Sequence, residues 1–270
     1  MIRPFSTLMS ASPLREAQLE PYENGTGSPI VTSRWSVIAG RTVYFGHHAI
    51  GSDVVAGVEG VAEKHAVPLR FVKTREPATV AGPAFVHFLV GQSRDFASKN
   101  AAVLRLLESP RRARRPVVLL KYCSGDISSP TETATMFEAY RDTVDTIQFE
   151  HPDVTIVHST IPLMTVESAF MSGARQFLRR PTRREGAIAR HRYNELVRAE
   201  FTDTEPIFDL AKLEATRPDG TLAGFAAEGR MIETLAPDNT DDGSHLNARC
   251  QRAVGEALLD VLSNAIEAAP

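Results

Sequence analysis

From Arg41 to the end of the chain, short apolar runs rich in β-branched residues alternate with longer stretches of helical spacing. No other feature narrows the fold as much. A strand, then a helix, then a strand cannot close as a hairpin. Each return to the sheet is a crossover, which makes neighbouring strands parallel and lays helices over both faces. The expected fold is therefore α/β, a three-layer α/β/α sandwich around a mostly parallel central sheet.

The strand candidates are Arg41–Phe45 ending at Gly46, Leu69–Lys73, Ala84–Val90 ending at Gly91, Pro116–Tyr122, and Val154–Ile161 closed by Pro162. Pro116–Tyr122 is the clearest buried strand and runs into a polar turn, Ser124-Gly125-Asp126. Helical spacing covers Val54–Lys64 after the start signal Gly51-Ser52-Asp53, and Ser98–Leu107 with Ser98 as its N-cap. It also covers Thr131–Glu150, Arg183–Glu200 and Leu246–Ala268. His151-Pro152 stops the third helix, because proline disfavours helical geometry in the residue before it. Residues 1–35, rich in Ser, Pro, Gly and Thr, read as an irregular arm, and residues 36–270 as a single domain. Within it, residues 202–240 read as an irregular insertion with a turn or small hairpin at Pro218-Asp219-Gly220.

Composition removes several function classes. Thirty basic and 33 acidic side chains leave a formal charge of −3, too small a field to suggest a nucleic-acid partner. The clusters Arg111–Arg115 and Arg179–Arg184 have no interleaved stacking aromatics and read as solvated loops, with an anion site for a charged substrate left open. Cys123 and Cys250 cannot make a disulfide framework, and no zinc spacing or other cofactor motif is present, so neither metal nor cofactor is expected. No apolar run is long enough for a membrane span. The first residues lack an apolar signal core, which reads as cytoplasmic, or as secreted or periplasmic if a leader has been removed.

Ligands of parallel sheets bind beyond the carboxyl ends of the strands. That rule directs attention to the turns after Phe45, Val90, Tyr122 and Ile161. Two segments stand out: Val43-Tyr-Phe-Gly-His-His-Ala-Ile-Gly51 after the first strand, and Asp241-Asp-Gly-Ser-His-Leu-Asn247 before the last helix. A Gly-rich turn from strand to helix can hold a nucleophile exposed beside backbone N–H groups. An Asp three residues before a His, as in Asp242 and His245, can orient the imidazole and stabilise its protonated form.

With these blocks the chain resembles the SGNH (GDSL-type) hydrolase superfamily. It is most similar to a divergent bacterial branch that reads Gly-His-His-Ser-Val-Gly and then Asp-Asp-Gly-x-His-Leu-Asn. The resemblance covers about Arg41 to Leu262, and the last block is its more specific part. It implies a flavodoxin-like sheet and a serine esterase or acyl hydrolase acting on a small-molecule or glycan ester. His245 would be the base and Asp242 its orienter. Backbone at Ala49 and Gly91 would donate to the oxyanion, with Gly46, His47, His48, Ser93 and Asp126 beside the substrate. The chain departs from the pattern in three places. Ala49 stands where the serine is expected, Ser93 where an Asn is frequent, and Cys123-Ser124-Gly125-Asp126 where Gly-x-Asn-Asp is usual. Losing the nucleophile costs about 10⁶-fold in other triads, so the chain as written should be nearly inert. Two origins of Ala49 stand open: an introduced Ser-to-Ala change, or a natural loss that leaves a pseudoenzyme. A non-catalytic ligand- or glycan-binding protein and an acyltransferase are the other readings, because a fold does not set the acceptor.

Each residue also has a plainer role. His47 and His48 could be turn residues, one of them satisfied by a backbone carbonyl; as a metal pair they lack a third ligand. Asp242 could favour a helix N-terminus through its charge. Asp126 fits a turn cap, Ser52 with Asp53 a helix cap rather than a replacement nucleophile, and Cys123 a small core residue.

Overall fold

The computed structural model describes residues 34–110, 113–166 and 183–269. Six strands form one sheet: β1 Thr42–His47, β2 Phe71–Lys73, β3 Ala84–Leu89, β4 Val117–Leu120, β5 Thr155–Ser159 and β6 Ile207–Phe208. Their order is β2-β3-β1-β4-β5-β6, and every neighbouring pair is parallel. The helices are α1 Gly51–Lys64, α2 Phe96–Glu108, α3 Thr133–Glu150, α4 Arg183–Phe201, α5 Leu210–Ala215 and α6 Ala248–Ala268. A separate antiparallel hairpin pairs β7 Gly224–Ala227 with β8 Arg230–Glu233.

Strand alternation sorts the core into two layers. Val43 and Phe45 of β1 point into the first, with Val54 and Val58 of α1, Leu210 of α5, and Val254, Leu258 and Leu262 of α6. Tyr44 points into the second, with Val103 of α2, Phe137 and Tyr140 of α3, and Tyr193 of α4. Both faces of the sheet are thus covered, which is why its strands read as continuous apolar runs. The expected α/β fold with a parallel sheet and helices on both sides is the observed one. These residues lie in one compact unit, Ser33–Pro270. Of the expected arm over residues 1–35, only Arg34 and Trp35 lie among the described residues; the Trp35 indole donates to Asp260 at 2.7 Å.

Three expectations change. The stretch 202–240 is not irregular: it carries β6, α5 and the β7–β8 hairpin. Its tight turn is Glu228-Gly229, both with positive φ (53° and 72°), as a two-residue hairpin requires. The turn expected at Pro218-Asp219-Gly220 is present, closed by Arg217 N–H to the Thr221 carbonyl at 2.8 Å, but it belongs to an isolated bridge. Short strands and a six-residue helix leave little periodicity to read. Ser98 is not the cap of α2. Asp95 is, accepting from Ser98 N–H at 2.9 Å, while the Ser98 hydroxyl holds Gln92 N–H at 2.7 Å. α1, unlike α2, has no side-chain cap, so Ser52 and Asp53 do not serve as one.

Candidate active site

β1 lies inside the sheet, flanked by β3 and β4. Its carboxyl end runs through His47 and turns at His48-Ala49-Ile50 into α1. Ala49 is exposed and has φ +44°, a left-handed conformation that is rare for a side-chain-bearing residue. Backbone bonds secure the turn: Gly51 N–H to the His48 carbonyl at 3.0 Å and Ser52 N–H to the Ala49 carbonyl at 2.9 Å. Such a sharp strand-to-helix turn holds its apical side chain out over the sheet edge.

The second block meets this turn through packing and one carboxylate. α6 lies on α1 at Gly57 and Gly255, so close that a Cβ on Gly57 would sit 2.0 Å from the Gln251 carbonyl oxygen. That contact sets the loop before α6 beside the start of α1. Asp53, in the first turn of α1, then accepts from Leu246 N–H at 3.0 Å. From the other side, Thr165 N–H and Oγ1 donate to the Gly243 carbonyl at 3.2 and 3.1 Å. The loop is thereby tied both to the Ala49 turn and to the stretch after β5.

Within it, His245 Nδ1 lies 2.6 Å from Asp242 Oδ2. A carboxylate only accepts, so Nδ1 carries the proton and Nε2 is left as the basic nitrogen. Asp242 Oδ1 accepts from Ser244 N–H (2.8 Å) and His245 N–H (2.7 Å). The hydrogen bond with His245, then these backbone donors, hold the Asp242 carboxyl well below the usual carboxylate range. The same bond raises His245 above the ordinary imidazole value, with Asp53 adding in the same sense. The His245 and Asp242 side chains are 60% and 53% exposed, and main-chain N–H groups rather than burial fix the carboxylate.

The other expected site residues divide. Gly46 and His47 are buried inside β1. His47 stacks on Phe45 and His87, with Nε2 3.3 Å from His87 Nδ1. Burial, then the charges of His87 and Lys121, pushes it down to about 3, which favours the neutral ring. Gly51 leaves room for this histidine: a Cβ there would strike the His47 Cβ at 2.3 Å and its ring at 2.4 Å. His48 Nε2 donates to the Val90 carbonyl at 2.8 Å, linking the turn after β1 to the turn after β3. In that second turn Gly91 has φ +57°, and a Cβ would meet Lys99 N at 2.6 Å. Ser93 is exposed in the tight turn Gln92–Asp95 that follows. Asp126 is buried; Oδ2 pairs with the Lys99 ammonium and accepts from Cys123 N–H at 2.7 Å. Cys123 and Cys250 are buried free thiols, and burial pushes Cys250 up to about 12.

The sequence reading missed Asp53 as the clasp between the two blocks. It also missed a buried charged cluster at this end of the sheet. Lys121, fully buried, donates to the Tyr122 carbonyl at 3.1 Å. Glu214 of α5, also fully buried, accepts from Leu163 N–H, and burial pushes it up to about 8. Arg190 of α4 donates to the Ser124 carbonyl at 3.1 Å. The lysine closing the apolar run Val117–Tyr122 was the available signal. Among the described residues no group of three ligating side chains could hold a metal ion, and no helix is long and apolar enough to cross a membrane. Of the arginine clusters, residues 111, 112 and 179–182 lie outside the described residues; Arg184 stacks over the Phe225 ring at 4.1 Å.

No family model matches the chain, and no curated protein matches it. Solved structures similar to it include the acetyl xylan esterase AlAXEase, at 14% identity and a TM-score of 0.45, covering 82% of this chain and 98% of that one. Another is a Streptococcus pneumonia protein provisionally described as a platelet activating factor, at 12% identity and a TM-score of 0.43, covering 79% of this chain and 92% of that one.

Proposed function

We propose that this chain is built as an SGNH-type acyl-ester hydrolase whose nucleophile seat is filled by Ala49. One observation carries the reading. The Asp242–His245 pair, with Nε2 unencumbered, is clasped by Asp53 to the helix that Ala49 precedes at positive φ. A serine at that position would attack the ester carbonyl of a small-molecule or glycan ester. His245 Nε2 would take its proton and then return it to the leaving alcohol, while Asp242 stabilises the imidazolium. Backbone N–H groups at positions 49 and 91 are the oxyanion donors of this reading. Water then resolves the acyl-enzyme by the same proton route in reverse.

The Ala49→Ser variant tests it directly. Turnover of p-nitrophenyl acetate and of acetylated sugars should rise by about 10⁴-fold or more over the parent chain. A folded Ala49→Ser protein that stays silent across short acyl and carbohydrate esters would sink the hydrolase reading. The second reading, a protein that holds such an ester without cleaving it, is favoured by Ala49 itself, which has no hydroxyl. It requires the parent chain to bind the intact ester.

A further inference from the structure

A cavity of about 870 Å³ opens at the turns that follow β3 and β4. Its described lining includes Arg94 from the turn after β3, Ser124, Gly125 and Asp126 from the turn after β4, and Arg190 of α4. Because β3 and β4 are the two neighbours of β1, these turns bracket the one that carries Ala49. Arg94 lies over Gly125, its Nε 3.7 Å from where a Cβ would stand.

The polar groups here are unevenly matched. The three acids of the lining are engaged by the protein itself: Asp95 caps α2, Asp126 Oδ2 pairs with Lys99, and Glu132 accepts from Ser128 and Ser129 N–H. Two of the lining arginines, Arg94 and Arg190, keep donors unengaged. Among the described residues Arg94 has no hydrogen-bond or ion-pair partner, and Arg190, only 4% exposed, leaves Nε unpartnered. Beside them Asp126 Oδ1 is a buried acceptor with no donor. Buried groups left in this state cost stability unless something completes them. The complement is specific: a carboxylate to take donors from Arg190 and Arg94, and a hydroxyl to donate to Asp126 Oδ1.

We propose that this cavity is the specificity pocket for the non-reacting part of the substrate, and that it takes a polyhydroxylated carboxylate, so that the ester is an acylated sugar acid or a similar hydroxy acid. The inference rests on the hydrolase reading only in placing the acyl group toward Ala49.

The test measures binding to the chain as it is, so turnover does not enter. Titration calorimetry compares D-glucuronate, D-glucose and inorganic phosphate at matched ionic strength. Glucuronate should bind about 10-fold or more tighter than glucose, the value of a charge-assisted hydrogen bond. Arg94→Gly should bring that ratio near one. Arg94 sits at φ +64°, a conformation glycine adopts freely, so this variant keeps the turn and the fold. Equal affinity for glucuronate and glucose, a ratio that survives Arg94→Gly, or phosphate binding tighter than glucuronate would each overturn the proposal. A clear glucuronate preference together with a silent Ala49→Ser protein would leave the pocket standing and remove the hydrolase.

Discussion

Two groups of ionisable side chains share the carboxyl edge of this sheet, and they are built on opposite terms. The Asp242–His245 pair is more than half exposed and is fixed by backbone N–H groups of its own loop. The cluster of Lys99, Asp126, Lys121, Glu214 and Arg190 is buried. Exposed pairs are screened by water and contribute little to stability, so their geometry can be tuned for chemistry. Buried charges cost several kcal/mol each to desolvate, and each must be answered by a neighbour. The contrast separates a region that can be changed at little cost to the fold from one where changes threaten it.

The sharpest way to break this contrast is to strand a buried charge. The side chains of Lys99 and Asp126 are both fully buried and paired. Lys99→Met leaves the Asp126 carboxylate with only Cys123 N–H as its donor. Loss of about 3–5 kcal/mol is expected by urea denaturation, with much of it recovered in Lys99→Met/Asp126→Leu. His245→Ala should leave the urea midpoint close to that of the parent. Similar midpoints for Lys99→Met and His245→Ala would erase the distinction.

Glu214 gives a smaller effect with a defined sign. Burial raises its folded pKa to about 8, above the ordinary carboxylate value of 4.5. Between those values the folded state holds a proton that the unfolded state has released, so this group's contribution falls as pH rises. Glu214→Gln keeps an oxygen acceptor for Leu163 N–H and removes the titration. Its stability relative to the parent should therefore improve by about 1 kcal/mol or more from pH 5 to pH 8. A stability difference that stays flat over that range would show Glu214 ionised in the fold, held by Lys121 and Arg190.

How far the sequence reached follows the same division. The alternation from Arg41 onward was enough for the parallel sheet, because strands buried on both faces leave continuous apolar runs and crossover helices leave a regular spacing. Asp242 and His245 were legible because one loop supplies both. Asp53 was not, since its partner Leu246 is 193 residues away and the meeting depends on the Gly57–Gly255 packing of α1 on α6. His47 misled for a related reason: a histidine in a glycine-rich block reads as a turn residue, while the strand in fact continues through it. Lys121 and Glu214 come from separate elements, and their burial becomes visible only once β4 and α5 are in place.

The smallest effect bears most directly on the exposed pair. Hydrogen bonding to Asp242 raises His245 above the ordinary imidazole value, and Asp53 adds to the rise. A base must be neutral to accept the serine proton, so kcat/KM of Ala49→Ser should climb with pH to a midpoint above 6.5. Stability runs the other way. A raised histidine contributes fully below its unfolded value and loses that contribution as pH rises through its folded one. Turnover therefore grows over the same window in which the pair's hold on the loop weakens. The added substitution Asp53→Asn should move the kinetic midpoint down slightly, and Asp242→Asn should move it down further while also lowering the plateau, because the imidazolium loses its partner. A midpoint unmoved by Asp242→Asn would mean that the proton acceptor in turnover is a group other than His245, and the exposed loop would then be a structural clasp between α1 and α6.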